Sequence, residues 1–286
     1  MANQIKHQAS VLGVVGDSND DLHVLANLYH EPFDSESILS VIVHMAHRPE
    51  VKWQLIHKFE GWLTSIDRTS DGKLVVASMD GEYICYDNMT ATTSDLGCPD
   101  GLNAIWAADK DFVFTVGVGG EIVRIRNTIV DLLRPADGSR LNAVHGFSSA
   151  DVYVVGDHGR VIHFDGKRLT DIDVGTNCNL LTVLCSGESV YIAGTAGFAV
   201  VGKAGVWTRF DAPNVTFTSL AYFKDHLYAA AGVDGVLVEN SGRMDEKKKI
   251  TVYRLRTVGD DLLFAVGNRL VAQFDGAGWW GGDIDL

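Results

Sequence analysis

Proline occurs only 5 times in 286 residues and cysteine only 4 times. The first shortage excludes a proline-rich linker protein, and the length, which can bury a sizeable core, removes any need for a disulfide staple. Cys85, Cys98, Cys178 and Cys185 form no C-x-x-C pair and have no zinc-ligand spacing, so they are expected to be small buried hydrophobes. Apolar runs long enough to cross a membrane are missing, and the opening Met1–Ser10 segment is polar, without the apolar stretch of a signal peptide. A cytoplasmic protein is the expectation. Positive charge is in deficit as well: 24 Lys and Arg stand against 37 Asp and Glu, a net charge of −13. That balance argues against nucleic acid and anionic membranes as partners and favours a basic protein. Catalytic signatures are absent: G-x-S-x-G, the phosphate-binding G-x-x-x-x-G-K-(S/T) and H-E-x-x-H do not occur.

What the chain does contain is glycine, 30 residues, at a fixed spacing. Aligning Val75–Gly81, Phe114–Gly120, Tyr153–Gly159, Tyr191–Gly197 and Ala229–Gly235 places a small residue at Ser78, Gly117, Gly156, Gly194 and Gly232, and again at Gly267. The steps are 39, 39, 38, 38 and 35 residues. In each unit an apolar strand reaches the small residue, a turn with a glycine of positive φ follows, and an alternating run such as Arg160–Phe164 returns. Turn residues such as Asp165-Gly166 then lead into a short outer strand, and each unit opens on an apolar strand such as Leu141-Asn-Ala-Val144. Val11–Val15, Leu22–Ala26, Ile38–Val43 and Trp53–His57 read as one further, stretched unit. Seven units of four strands, starting near residues 10, 62, 101, 140, 179, 217 and 251, predict an all-β, seven-bladed β-propeller built as one domain over 1–286. A parallel β-helix fits less well, because glycine hairpins imply antiparallel neighbours. The C-terminal Gly278–Leu286 run completes the last unit by itself, so ring closure rests on packing, with residues 1–9 as an alternative edge strand.

The repeated V-G-x-x-G-x-(I/V)-x-x-(F/Y)-D-G pattern, clearest over Val155–Gly166, resembles the WD40/YVTN-like propeller superfamily, including bacterial repeats similar to photosystem II assembly factors. The resemblance spans nearly the whole chain. It implies the propeller fold and leaves the function open among scaffolds, inhibitors, receptors and enzymes.

In such a fold the turns between second and third strands share one face with the entrances to the first strands. The turns contribute Asp80, Asp157, His158 and Asp234; the entrances contribute Asn103, Arg140, Asn142, Asn179 and Arg254. Asp and Asn also occur in turns for backbone reasons alone, so their convergence on one face is what points to binding. The long turn of the first unit adds Tyr29, Phe33, Asp34 and Glu36, aromatic anchors rimmed by acid. These residues predict a non-catalytic protein-binding module, with an inhibitor or immunity protein for a basic partner as the specific form. Two alternatives remain: an enzyme with a small-molecule site in the channel, using Asp157-His158, and a structural assembly subunit. No catalytic residue, cofactor or metal site is assigned. His23, His30, His44, His47 and His57 crowd the first unit, but strand alternation is expected to turn neighbouring imidazoles to opposite faces.

Overall fold

The computed structural model describes residues 6–18, 20–31, 38–46, 52–87, 90–203 and 205–283. They form seven four-stranded antiparallel sheets, each made of four consecutive strands, and contain no α-helix. The predicted propeller is therefore present. The inner strands are Lys6–Ser18, Leu63–Arg68, Leu102–Ala107, Leu141–Ser148, Leu180–Ser186, Ser219–Phe223 and Arg254–Val258, in blades one to seven.

Burial across a blade follows its position in the ring. A second strand such as Leu74–Ser78 lies between neighbouring blades and is buried at every position, which is why Leu74–Ala77 is an unbroken apolar run that ends on the small Ser78. The outer strand of the same blade, Thr90–Asp95, is almost wholly exposed and polar. The core is correspondingly divided among the blade interfaces: Phe114 and Val116 of blade three pack on Val144, Val152 and Val154 of blade four.

The two glycine positions of the repeat have separate causes. Gly156 lies against the start of its own inner strand, where a Cβ would stand 2.4 Å from the Arg140 carbonyl oxygen. Gly159 has φ +74° and lies against the connection to the next blade, where a Cβ would stand 1.9 Å from the Thr176 oxygen.

Between inner strands no backbone ladder runs; side chains clasp the neighbouring backbone instead. Asn103 Nδ2 donates to the Leu141 carbonyl at 2.7 Å, Asn142 Nδ2 to Leu180 at 2.9 Å, and Thr218 Oγ1 to Tyr253 at 2.9 Å. Asp67 Oδ2 accepts from Ala107 N at 2.9 Å, and His145 Nδ1 accepts from Cys185 N at 3.2 Å. Asp67, almost fully buried, also meets Arg256 of blade seven at 2.7 Å, bypassing blade one.

Blade one closes on blade seven without exchanging a strand. Val11 N donates to the Gly267 carbonyl and Arg269 N to that of Ala9, both at 3.2 Å, while Val11, Val14, Val24 and Val43 pack against Val258, Phe264, Val266 and Val271. Each such side chain contributes about 1.5–3 kcal/mol when fully buried, against about 1 kcal/mol net for a hydrogen bond, so packing dominates the closure. Residues 6–9 belong to the inner strand of blade one, paired with 28–31, and so do not form the alternative edge strand. All four cysteines are free, two buried and two half-buried.

Two outcomes are expected. Gly159→Ala should cost at least about 2 kcal/mol in urea denaturation, because a left-handed residue and a backbone clash coincide. Gly175→Ala, at φ +73° with nothing near its Cβ, should cost only the conformational part, about 1–2 kcal/mol. The second outcome concerns His145, whose pKa burial lowers from 6.5 to about 4. The unfolded chain takes up this proton first, so the stability His145 contributes is complete above pH 6.5 and is lost as pH falls toward 4. The loss is at most about 3 kcal/mol, since His145 lines an accessible channel. His145→Asn, whose amide oxygen can still accept from Cys185 N, should flatten this part of the urea-midpoint pH profile.

Candidate functional site

The antiparallel register fixes which loops meet. Leu141 pairs with Gly156 and Leu180 with Gly194, so the entry to each inner strand and the turn after each second strand lie at the same end of the blade. Among the described residues these turns bond to the connection leading to the next blade: Gly159 N to the Cys178 carbonyl and Gly197 N to that of Val215, both at 2.7 Å, and Val252 N to that of Gly232 at 3.0 Å. The mouth of the channel is thus ringed by mutually braced loops.

Several of the predicted residues meet here in pairs. Arg140 Nη2 donates to Asn103 Oδ1 at 3.0 Å, Asn142 Nδ2 to Asp157 Oδ1 at 2.8 Å, and His158 N to Asn179 Oδ1 at 3.1 Å. Asn103 and Asn142 are at the same time the inter-blade clasps, so their amides serve the ring whatever else they touch. His158 occupies a left-handed conformation, φ 57°, in a single 3-10 turn over Asp157–Gly159. Asp80 is exposed, and Asp234, half-buried, stands 3.8 Å from Lys249 Nζ. Tyr29 pairs in register with Gln8 near the end of its strand and is half-buried. Phe33, Asp34 and Glu36 lie outside the described residues.

Below the mouth, the channel encloses a cavity of about 400 Å³ lined by Ser65, Asn103, Asn142, His145, Thr218, Arg254 and Arg256 among apolar residues such as Val14 and Ile105. Its ionisable groups are engaged in holding strands. Arg254 Nη1 donates to the Thr218 and Tyr253 carbonyls at 3.1 and 3.2 Å. Arg256 pairs with Asp67, and the His145 ring nitrogen Nδ1 accepts from Cys185. Acid–base chemistry would have to draw on groups that clasp the ring.

The sequence reading missed three apolar residues on the mouth. Trp62 is 41 %, Met79 36 % and Val233 67 % exposed. Met79 N donates to the Trp62 carbonyl at 2.9 Å, which sets the two side by side next to Asp80, and Gly61 N donates to Ile38 O at 3.1 Å. The signal was available: Met79 and Val233 both occupy the first turn position after the small residue, directly before Asp80 and Asp234. A second missed group lies at the other end of blade one, where Asp21, His23 and His44 come together.

No family model matches the chain. It is 29 % identical over 160 residues to Immune protein Tsi7 of Pseudomonas aeruginosa, and the match spans 51 % of each protein, so about half of the length of that relative is covered. The fold is similar to that of the WD40 propeller domain of Doa1 (TM-score 0.75, 8 % identity, covering 92 % of this chain and 90 % of that one). It is also similar to YCF48, solved bound to D1 peptide (TM-score 0.67, 13 % identity, covering 93 % of each). No helix among the described residues is long and apolar enough to cross a membrane. By its seven sheets, its braced mouth and these likenesses, the chain is a seven-bladed β-propeller matched in fold by WD40 propeller domains and by YCF48.

Proposed function

We propose that this propeller is a non-catalytic binding module that masks a basic protein partner through the braced mouth, acting as an immunity protein in the cytoplasm. The observation that carries the reading is exposed Trp62 and Met79 set beside the Asp80 carboxylate on blade two, with exposed Val233 and Asp234 repeating the apolar–acid pair at the equivalent turn of blade six on the same face. A large aromatic side chain beside acid is the composition of an interface anchor, and rigid loops lose little entropy on binding. The propeller fold fits protein binding, and the partial match to a protein named as an immune protein supports the specific form. The net charge of −13 favours a cationic partner and disfavours nucleic acid and anionic membranes.

The test is capture of the tagged chain's partner from lysate of its source, followed by binding kinetics with the purified pair. Trp62→Ala should weaken the complex at least about 30-fold, mainly by faster dissociation. Asp80→Lys combined with Asp34→Lys and Glu36→Lys should slow association and reduce its salt dependence. A partner whose affinity and on-rate are unchanged by all of these substitutions would refute the assignment of the face.

A further inference from the structure

We propose that Asp21, His23 and His44 form a binding site for a divalent transition-metal ion, Zn²⁺ being the best fit, on the end of blade one away from the braced mouth.

The arrangement follows from strand periodicity and hairpin register. Asp21 and His23 are two residues apart on the second strand of blade one, Asp21–Glu31, and therefore share a face. His44, on the third strand Leu39–Ala46, is the direct partner of His23 across the pair. Leu22, Val24, Val43 and Met45 alternate with them and fill the core toward blade seven, which leaves the histidines facing blade two.

One ligand atom from each of the three side chains lies within 4.8 Å of the others. His44 Nε2 stands 3.4 Å from Asp21 Oδ1, and the two imidazoles are 5.0 Å apart, tilted by 57° rather than stacked. Tetrahedral donors around zinc are separated by about 3.3 Å, so small side-chain rotations suffice to close the set. An independent observation points the same way: His23 Nδ1 is buried and has no hydrogen-bond partner among the described residues. Such an atom calls for a partner, either a hydrogen-bonding group or a metal ion that takes its lone pair.

The surroundings also fit a cation held by nitrogen. Arg68 enters from blade two and stands 2.8 Å from Asp21 Oδ2 and 3.1 Å from Asp17 Oδ2, which orients the Asp21 carboxylate so that its other oxygen faces the histidines. The guanidinium charge is balanced by those two carboxylates. Two imidazoles and one carboxylate suit zinc, cobalt or nickel and not the oxygen-seeking calcium or magnesium. Three protein ligands leave a fourth position for water or a partner's donor group, on the side where the Asp21 side chain is 41 % exposed.

The full chain, stripped with a chelator and dialysed against buffered Zn²⁺, should take up one equivalent by elemental analysis. Co²⁺ should give the visible absorption of a low-symmetry nitrogen–oxygen site. His23→Ala and His44→Ala should each weaken uptake at least about tenfold and abolish the cobalt spectrum. His226→Ala, at an exposed position on blade six, should leave both unchanged. Absence of saturable zinc uptake by the unaltered chain would overturn the site without recourse to any variant. Undiminished uptake in the His23→Ala, His44→Ala double variant would assign the metal elsewhere and overturn it equally, leaving His44 and Asp21 as a plain ion pair.

Discussion

Seven sheets arranged around a channel share no backbone ladder from one inner strand to the next, so the ring depends on what joins the blades laterally. Two devices do this. Apolar faces of second strands pack against both neighbours, and near the channel a polar side chain from one inner strand bonds the backbone of the next. The first supplies most of the stabilisation because many side chains take part, while the second is directional and sets the register of each blade against its neighbour. Closure between blades one and seven uses the same apolar packing, reinforced by two backbone bonds.

This constraint bears directly on function. A clasping side chain cannot also be a freely adjustable catalyst: moving His145 releases Cys185 N, and moving Arg256 uncovers the buried Asp67 carboxylate. The braced mouth has the opposite property. Its loops are fixed at their bases by bonds to the adjoining connections, yet the side chains at the turn tips, Met79, Val233, Asp80 and His158, point away from that scaffold and are available to a partner. A ring of this kind presents a preformed surface, which supports recognition more readily than bond making.

Much of the architecture was legible because a propeller repeats itself. Small residues at Ser78, Gly117, Gly156, Gly194, Gly232 and Gly267 gave the period, and the alternation of each unit gave the strands. The roles of single polar residues were less legible. Asn103 and Asn142 read as surface groups because sequence shows neither of the carbonyls, Leu141 and Leu180, that lie 38 residues away and accept their bonds. The pairing of His23 with His44 depends on the register of a hairpin whose connection is long, and no local rule fixes that register. Strand alternation separates neighbouring imidazoles along one strand, whereas the contact that forms runs across two strands; His47 lies outside the described residues. Trp62, a large apolar side chain at a strand entrance, carries no local signal of exposure, and only the assembled ring reveals that it stays exposed.

The braced mouth is the surface proposed to meet the partner. Hydrogen exchange of the free protein and of its complex with the captured partner measures this directly. Slowed exchange in the turns around Met79–Gly81, Asp157–Gly159 and Gly232–Gly235 and at Trp62, with the outer strands unchanged, is the predicted result. Protection confined to outer strands such as Thr90–Asp95, or to the opposite end of the channel, would contradict it.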